Sequence, residues 1–443
     1  MKEATLLLML TARERRAQRQ TELLQKYRCP LISFTMNIAG PTKTSPLIER
    51  AFNYGIEQLT QLLPKQQVVY QRTDVSIAGC EAFFAVNADA SALKDICVGI
   101  EESSAIGRLF DMDVLDVDGN KLERTRERGC FVCGAQGRGC AARRLHDVPT
   151  LQATTQRILC EHFLTADSER IAALAVASLL DEVNTTPKSG LVDRRNNGSH
   201  TDMTLDTFYD SANALKPYFA ECFTTGWLTA EQSPDTAFSS LREIGIRAEH
   251  AMFDATNGVN THKGAIYIMC ALCGALGRLW TPEKPYMGIN ETLTACANLV
   301  NKAVSEDFSS TDRSTFGLRL YHTHGIRGIR GELAAGLPSV VNVGLPVFEN
   351  ALNAGLSPNS AGCVALIHLI SCVEDTTLYH RGGIEGARFA AECARRLLAE
   401  TPRPSAEQIE ALDDAFIQKN LSPGGCADLL AATYFLYKLQ HEM

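Results

Sequence analysis

The chain changes texture once, near residue 166, and that change limits it to folds built as two separate halves. Before it, short apolar runs at 31–36, 68–75 and 82–86 have strand character, and Val114-Leu115 lies in another. They alternate with helical spacing at 4–24 and 47–63, and Gly40-Pro41 ends the first strand. After it come Ala- and Leu-rich segments of helical length at 168–183, 265–279, 357–373 and 387–398, and strands are hard to find. Ser357-Pro358 has the form of an N-cap followed by proline at the first helical position. At 443 residues the chain exceeds one typical core. We therefore expect two domains, an α+β domain over 1–165 and an all-α domain over 166–443, joined between His146 and Ser168.

Composition narrows the functional classes. A net charge of −8 argues against a general nucleic-acid binder. The apolar run at 4–9 is short and flanked by charge, unlike a secretory signal, and no run approaches membrane-spanning length. Fifteen cysteines cannot all pair with one another, so the expectation is a cytoplasmic protein with reduced thiols, with neither membrane nor nucleic acid as partner.

In the first half, Gly107-Arg108-Leu109-Phe110-Asp111-Met112-Asp113 places two carboxylates two residues apart. On a strand both point to one face, which is how nucleotidyl-transfer enzymes commonly hold catalytic magnesium. The domain is therefore expected to be nucleotidyltransferase-like, with Asp111 and Asp113 catalytic and metal-holding and Arg108 beside them. Gly40-Pro41-Thr42-Lys43 follows a strand and offers Lys43 to phosphate, without the full P-loop pattern. Cys130, Cys133, Cys140 and His146 have the ligand types and nearly the spacing of a small structural zinc knuckle. Arg13, Arg16 and Arg19 form a stripe at helical spacing that reads equally well as an exposed, solubilising face.

In the second half, the stretch Ala255 to Gly264 leads into an apolar run. Asn260 and Thr261 are placed to cap a helix, with His262 and Lys263 in its first turn, so backbone N–H groups and a lysine charge converge on an anion. Glu182 ends a helix and is followed across a polar loop by Lys188 and Asp193. Arg327, Arg330 and Glu332 alternate with glycines, and Glu374-Asp375, read as a helix C-terminus, precedes Arg381. Four loops that mix Gly, Lys or Arg with Asp or Glu point to a phosphorylated ligand with magnesium.

These motifs carry a family resemblance. Residues 10–147 resemble the apo-citrate lyase phosphoribosyl-dephospho-CoA transferase family through Ser33-Phe34-Thr35, Gly40-Pro41 with Lys43, Gly107-Arg108-Leu109 with Asp111 and Asp113, and the Cys130–His146 series. Residues 170–435 resemble triphosphoribosyl-dephospho-CoA synthase. Here the carriers are Glu182 with Thr186-Pro187-Lys188, Gly190-Leu191-Val192-Asp193, Gly258 to Gly264, Arg330-Gly331-Glu332, Asp375-Thr376, Arg381-Gly382-Gly383, and Asn420 to Gly425. Ser189 and Ala39 stand where those patterns have proline. The whole resembles a fusion of two citrate lyase maturation enzymes.

The resemblance implies two reactions. The second half would join the ribose of ATP to the 2′-hydroxyl of 3′-dephospho-CoA and release adenine. Glu182, Asp193 and Glu332 are then candidates for base or cation stabiliser, with His262 as a catalytic group. Lys188, Lys263, Arg330 and Arg381 would meet phosphates, and Asp375 would hold magnesium. The first half would transfer the product to a serine of the apo-citrate lyase acyl-carrier (gamma) subunit and release diphosphate. Two other readings stay open: a helical metal phosphohydrolase using His146-Asp147, and a zinc-containing RNA-binding adaptor using 124–144.

Overall fold

The computed structural model describes residues 3–125, 127–135, 140 and 143–442. It has two compact units, Met1–Leu164 and Thr165–Met443. Part of the arginine-rich segment 124–144 lies outside the described residues.

The first unit is an antiparallel sheet with helices on both faces. Its elements run α1 (Leu6–Tyr27), β1 (Leu31–Met36), α2 (Pro46–Leu62), β2 (Val68–Ser76), β3 (Gly79–Val86), α3 (Ala90–Glu102) and β4 (Phe110–Leu115). The strand order is β2-β3-β1-β4. Alternation sorts the strands' side chains. Ile32, Phe34, Phe84, Met112 and Val114 are buried on one face, where Phe34 stacks on Phe52 of α2 with ring centroids 4.8 Å apart. A Cβ at Gly55 would lie 2.5 Å from the Phe34 ring, so this close approach of α2 to the sheet needs glycine. On the other face Leu31 packs with Leu23 and Leu24 of α1.

Helix α1 corrects one expectation. Arg13 is exposed, but the rest of the stripe is not a solubilising face: Arg16 reaches Glu81 at 2.6 Å and Arg19 pairs with Asp74, both on the sheet. Asp74, Glu81, Thr35 and Asp111 face one another in register across the four strands. The stripe therefore neutralises a row containing three carboxylates.

The second unit is helical. Its elements are α4 (Val148–Asn184, which begins in the first unit), α5 (Leu205–Leu228), α6 (Pro234–Ala255), α7 (Lys263–Leu279), α8 (Ile289–Ser309), α9 (Phe316–His324), α10 (Gly328–Ala334), α11 (Leu345–Asn353), α12 (Pro358–Cys372), α13 (Thr376–Glu400), α14 (Ala406–Gln418) and α15 (Gly424–Glu442). Ser357 caps α12 by accepting Ser360 N–H at 3.2 Å, with Pro358 at the first position. Helix α13 breaks at Gly383, whose φ of 62° suits glycine. Among the described residues no single helix is long and apolar enough to cross a membrane.

Two local readings change. Glu374-Asp375 does not end a helix, because α12 stops at Cys372 and Asp375 is the N-cap of α13. At α7 the cap position falls to His262, one residue later than expected, and Asn260 Oδ1 accepts Lys263 N–H at 3.4 Å.

Candidate active sites

In the first unit β4 places Asp111 and Asp113 opposite Thr35 and Ser33 of β1, on the α1 face of the sheet. Asp113 accepts from Lys121 Nζ at 2.7 Å. Asp111 reaches solvent, yet surrounding chain and then the Asp113 charge hold its carboxyl above the usual range. A crowded carboxylate pair of this kind suits a divalent cation. Lys43 Nζ is turned back onto the Ile38 carbonyl, and burial followed by the Arg13 charge lowers its pKa.

The ligand atoms of Cys130, Cys133, Cys140 and His146 all lie within 4.8 Å of one another, with Cys133 Sγ 3.5 Å from Cys140 Sγ. Ligands around tetrahedral zinc sit roughly 3.3–3.8 Å apart, and His146 Nε2 is buried without a hydrogen-bond partner among the described residues. Burial opposes ionisation of Cys130, but N–H groups of Cys133 and Val132 and the neighbouring thiols bring it down to about 7. The hydrogen bond with Cys133, then burial, push Cys140 up to about 11. Cys130 is thus poised to ionise, whereas Cys140 needs a cation beside it to do so at neutral pH. His146 lies among three thiols, and Asp147 caps α4 by accepting Thr150 N–H at 2.9 Å, so the Asp147 carboxylate is turned to the helix start and not to a His-Asp dyad. Arg124 pairs with Glu101 and Glu102, and Arg128 donates to the Gly107 and Phe110 carbonyls; neither presents a free basic surface.

In the second unit the end of α4, the start of α7 and the start of α15 enclose a cavity of about 160 Å³. Glu182, Lys188, His262, Lys263 and Asp428 line it. Glu182 and Lys188 are buried and paired, Lys188 Nζ lying 2.6 Å from Glu182 Oε1 and 2.9 Å from the Glu182 carbonyl. Burial raises the Glu182 carboxyl while the Lys188 charge and hydrogen bond draw it back. His262 Nδ1 is 2.7 Å from Ser211 Oγ, which accepts from Thr261 Oγ1, and Nε2 is buried without a partner among the described residues. Burial, then the Lys188 charge, push its pKa down to about 3, so the ring is neutral at pH 7. Lys263 is exposed and pairs with Glu249 at 2.7 Å.

The remaining predicted residues stand outside the lining. Asp193 organises its loop: Oδ2 accepts Lys188 N–H at 2.8 Å, and Oδ1 accepts from Arg195 and Asn196. Glu332 accepts from Ser339 Oγ at 2.6 Å, Arg330 pairs with Asp307 at 3.2 Å, and Arg381 donates to Ser199 O, Asn420 Oδ1 and His200 Nδ1. Asp375, expected at magnesium, has its carboxylate occupied by backbone. Oδ1 accepts from Thr377 and Leu378, and Oδ2 from Cys426 N–H at 2.8 Å. One carboxylate therefore caps α13 and holds the start of α15.

Asp428 escaped the sequence reading. It lies one turn into α15, three residues past Gly425, with no charged neighbour in sequence to mark it, and only packing brings it to the start of α7. Burial, then the Asp375 and Glu182 charges, hold its carboxyl well above the usual range, against a backbone hydrogen bond from Ala265. Ser211 went unnoticed because only packing brings the middle of the Asp210-Ser211-Ala212 helical stretch to His262.

Comparison with known proteins agrees with this division. Residues 4–162 match the family described as apo-citrate lyase phosphoribosyl-dephospho-CoA transferase, and residues 168–443 match ATP:dephospho-CoA triphosphoribosyl transferase. The chain is 34% identical to Protein CitXG of Haemophilus influenzae, over 96% of this chain and 94% of that one. It is 31% identical to Protein CitXG of Leuconostoc mesenteroides, over 98% and 97% respectively. A 2-(5''-triphosphoribosyl)-3'-dephosphocoenzyme-A synthase of Haemophilus ducreyi is 34% identical over 70% of this chain and 99% of its own length. With both halves matched in the same order, the chain belongs to the fused citrate lyase maturation family, whose two transferase units make the citrate lyase prosthetic group and attach it.

Proposed function

We propose that residues 166–443 carry the synthase chemistry at the Glu182–Asp428 cavity and residues 1–165 the transfer chemistry at the Asp111–Asp113 face. The observation that carries the synthase reading is the meeting of Glu182, His262 and Asp428, from three distant parts of the chain, in one cavity with Lys188 and Lys263.

In the synthase step the C1–N9 bond of ATP breaks and adenine leaves with the electron pair. The 2′-hydroxyl oxygen of 3′-dephospho-CoA bonds to C1 of the ribose. Glu182, held beside Lys188, takes the hydroxyl proton and faces the positive charge that develops at C1. Asp428, held protonated by its surroundings, gives a proton to departing adenine. Neutral His262 receives the Ser211 hydroxyl hydrogen at Nδ1 and presents Nε2–H to the substrate. Lys188 and Lys263 stand nearest for phosphate. Asp193, Glu332, Asp375, Arg330 and Arg381 act through the loops and helix starts that they hold.

In the transfer step a serine oxygen of the acyl-carrier subunit attacks the phosphorus next to the ribose. The new P–O bond forms as the bond to diphosphate breaks, and the serine proton passes to solvent. Asp111 and Asp113 are the groups that would hold magnesium, which supplies charge neutralisation at the phosphates when bound. Arg108 and Lys43 are the neighbouring cations. The sheet with a paired carboxylate strand supports a nucleotidyltransferase-like unit. Cys130, Cys133, Cys140 and His146 hold structural zinc. ATP and 3′-dephospho-CoA as substrates support a cytoplasmic reading.

The test incubates the full chain with ATP, 3′-dephospho-CoA and apo acyl-carrier subunit. Adenine release, together with a carrier mass increase equal to the phosphoribosyl-dephospho-CoA group, is the expected result. Adenine release without the mass increase would remove the transfer half, and neither signal would remove both.

A further inference from the structure

A second cavity in the first unit, about 750 Å³, is used by neither step as described so far. Its lining includes Asn37, Arg108, Arg128 and Arg144, and Cys130, Cys140 and His146 form part of its wall. The cluster expected to hold zinc is therefore also a boundary of this space.

Two of the arginines are fixed by each other's neighbourhood. Arg128 donates to the Phe110 carbonyl at 2.7 Å and the Gly107 carbonyl at 2.8 Å, while Arg108 donates to the Gly129 carbonyl. This crossed pair of contacts holds two guanidinium groups near one another, and Arg128 Nη1 also lies 3.9 Å from the buried Glu101 carboxylate. Arg128 Nε is buried with no hydrogen-bond partner among the described residues. The carboxylate in the lining, Asp147, is already spent on the Thr150 N–H. The Phe110 carbonyl that Arg128 holds belongs to the residue before Asp111, which puts the cavity next to the strand that carries the carboxylate pair. Preorganised like charges beside a metal-suited pair are an arrangement for an anion with several phosphates.

We infer that this cavity is the diphosphate pocket of the transferase unit, gripping through Arg108, Arg128 and Arg144 the two phosphates that leave, with the metal knuckle as its wall. The inference rests on the proposed transfer reaction. It makes the zinc site part of substrate binding and not of folding alone, because loosening the Cys130–His146 segment would carry away Gly129, which Arg108 grips.

Hydrogen–deuterium exchange of the zinc-loaded full chain, with and without inorganic diphosphate, tests this peptide by peptide. Diphosphate should protect peptides covering 107–110 and 128–133, and sulfate at equal concentration should do so much less. Arg108→Gln and Arg144→Gln should each raise the diphosphate concentration for half-maximal protection about tenfold or more, while adenine release by the second unit stays intact as a folding control. Chelation of zinc should abolish the protection. Absence of protection, or protection in both variants equal to that of the unaltered protein, overturns the pocket. Protection that needs these arginines, in a protein that never modifies the carrier, supports the pocket and sinks the transfer reading.

Discussion

The carboxylate of Asp428 occupies the space that a side chain at Gly264 would need: a Cβ there would lie 2.0 Å from Asp428 Oδ2. Helices α7 and α15 thus meet through a glycine and an acid, and this close approach needs glycine at 264. Gly264→Ala should displace Asp428 and cut adenine release by about tenfold or more, since small misplacements of reacting groups are costly. Asp428→Asn should cut it further with the fold preserved. Steady-state adenine release with circular dichroism reads both, and an unimpaired Asp428→Asn protein would remove Asp428 as the acid.

Transfer and synthesis should separate by mutation. Asp111→Asn or Asp113→Asn should lower carrier modification from preformed prosthetic group about a hundredfold or more while adenine release continues, because metal-borne charge stabilisation is worth several kcal/mol. Loss of adenine release in either variant with the fold intact would contradict two independent sites.

The Glu182–Lys188 pair should behave as a buried ion pair broken from one side. Lys188→Met leaves Glu182 uncompensated and should destabilise the second unit by about 3–5 kcal/mol, whereas the double change with Glu182→Gln should recover part of that loss. Both tryptophans, Trp227 and Trp280, lie in this unit, so their fluorescence during urea unfolding reports it alone.

Acid should weaken the second unit earlier than carboxylate titration would. His262 is depressed to about 3 by burial and then Lys188, and His200 to about 4 by burial and then Arg381. An unfolded histidine titrates near 6.5, so below that pH the unfolded chain binds more protons and stability falls as pH falls, levelling off only below the folded values. Each ring should remove up to about 1.4 kcal/mol per pH unit within its window. His262→Asn should flatten the slope of tryptophan-monitored stability between pH 6.5 and 4, and an unchanged slope would show that the ring is not held neutral.

Much of this architecture was legible in the residues because period and punctuation are local. Strands β1 to β3, the one-face pairing of Asp111 with Asp113, and the Ser357-Pro358 start of α12 all follow from neighbours in sequence. The meeting of Cys130, Cys133, Cys140 and His146 was legible for the same reason, since all four lie within one segment. What sequence could not assign was employment. Asp375, Glu332 and Asp193 look like Glu182 as letters, but backbone N–H groups and Ser339 claim the first three, and only Glu182 reaches the cavity. Likewise Arg16 and Arg19 read as solvated until the sheet supplied Glu81 and Asp74.

The double duty of Asp375 bears on how the protein is made. A chain leaving the ribosome completes α4 and α7 well before α15, so for a time Glu182, Lys188 and His262 exist without the helix that shelters them. Asp375 can cap α13 during that interval, but its second oxygen waits for Cys426 N–H. Closure of that one hydrogen bond seats the start of α15 and delivers Asp428. Such distant pairings are slow to form, and the cavity between Glu182 and Asp428 is therefore among the last parts of its unit to close, open to water on one side until the helix arrives.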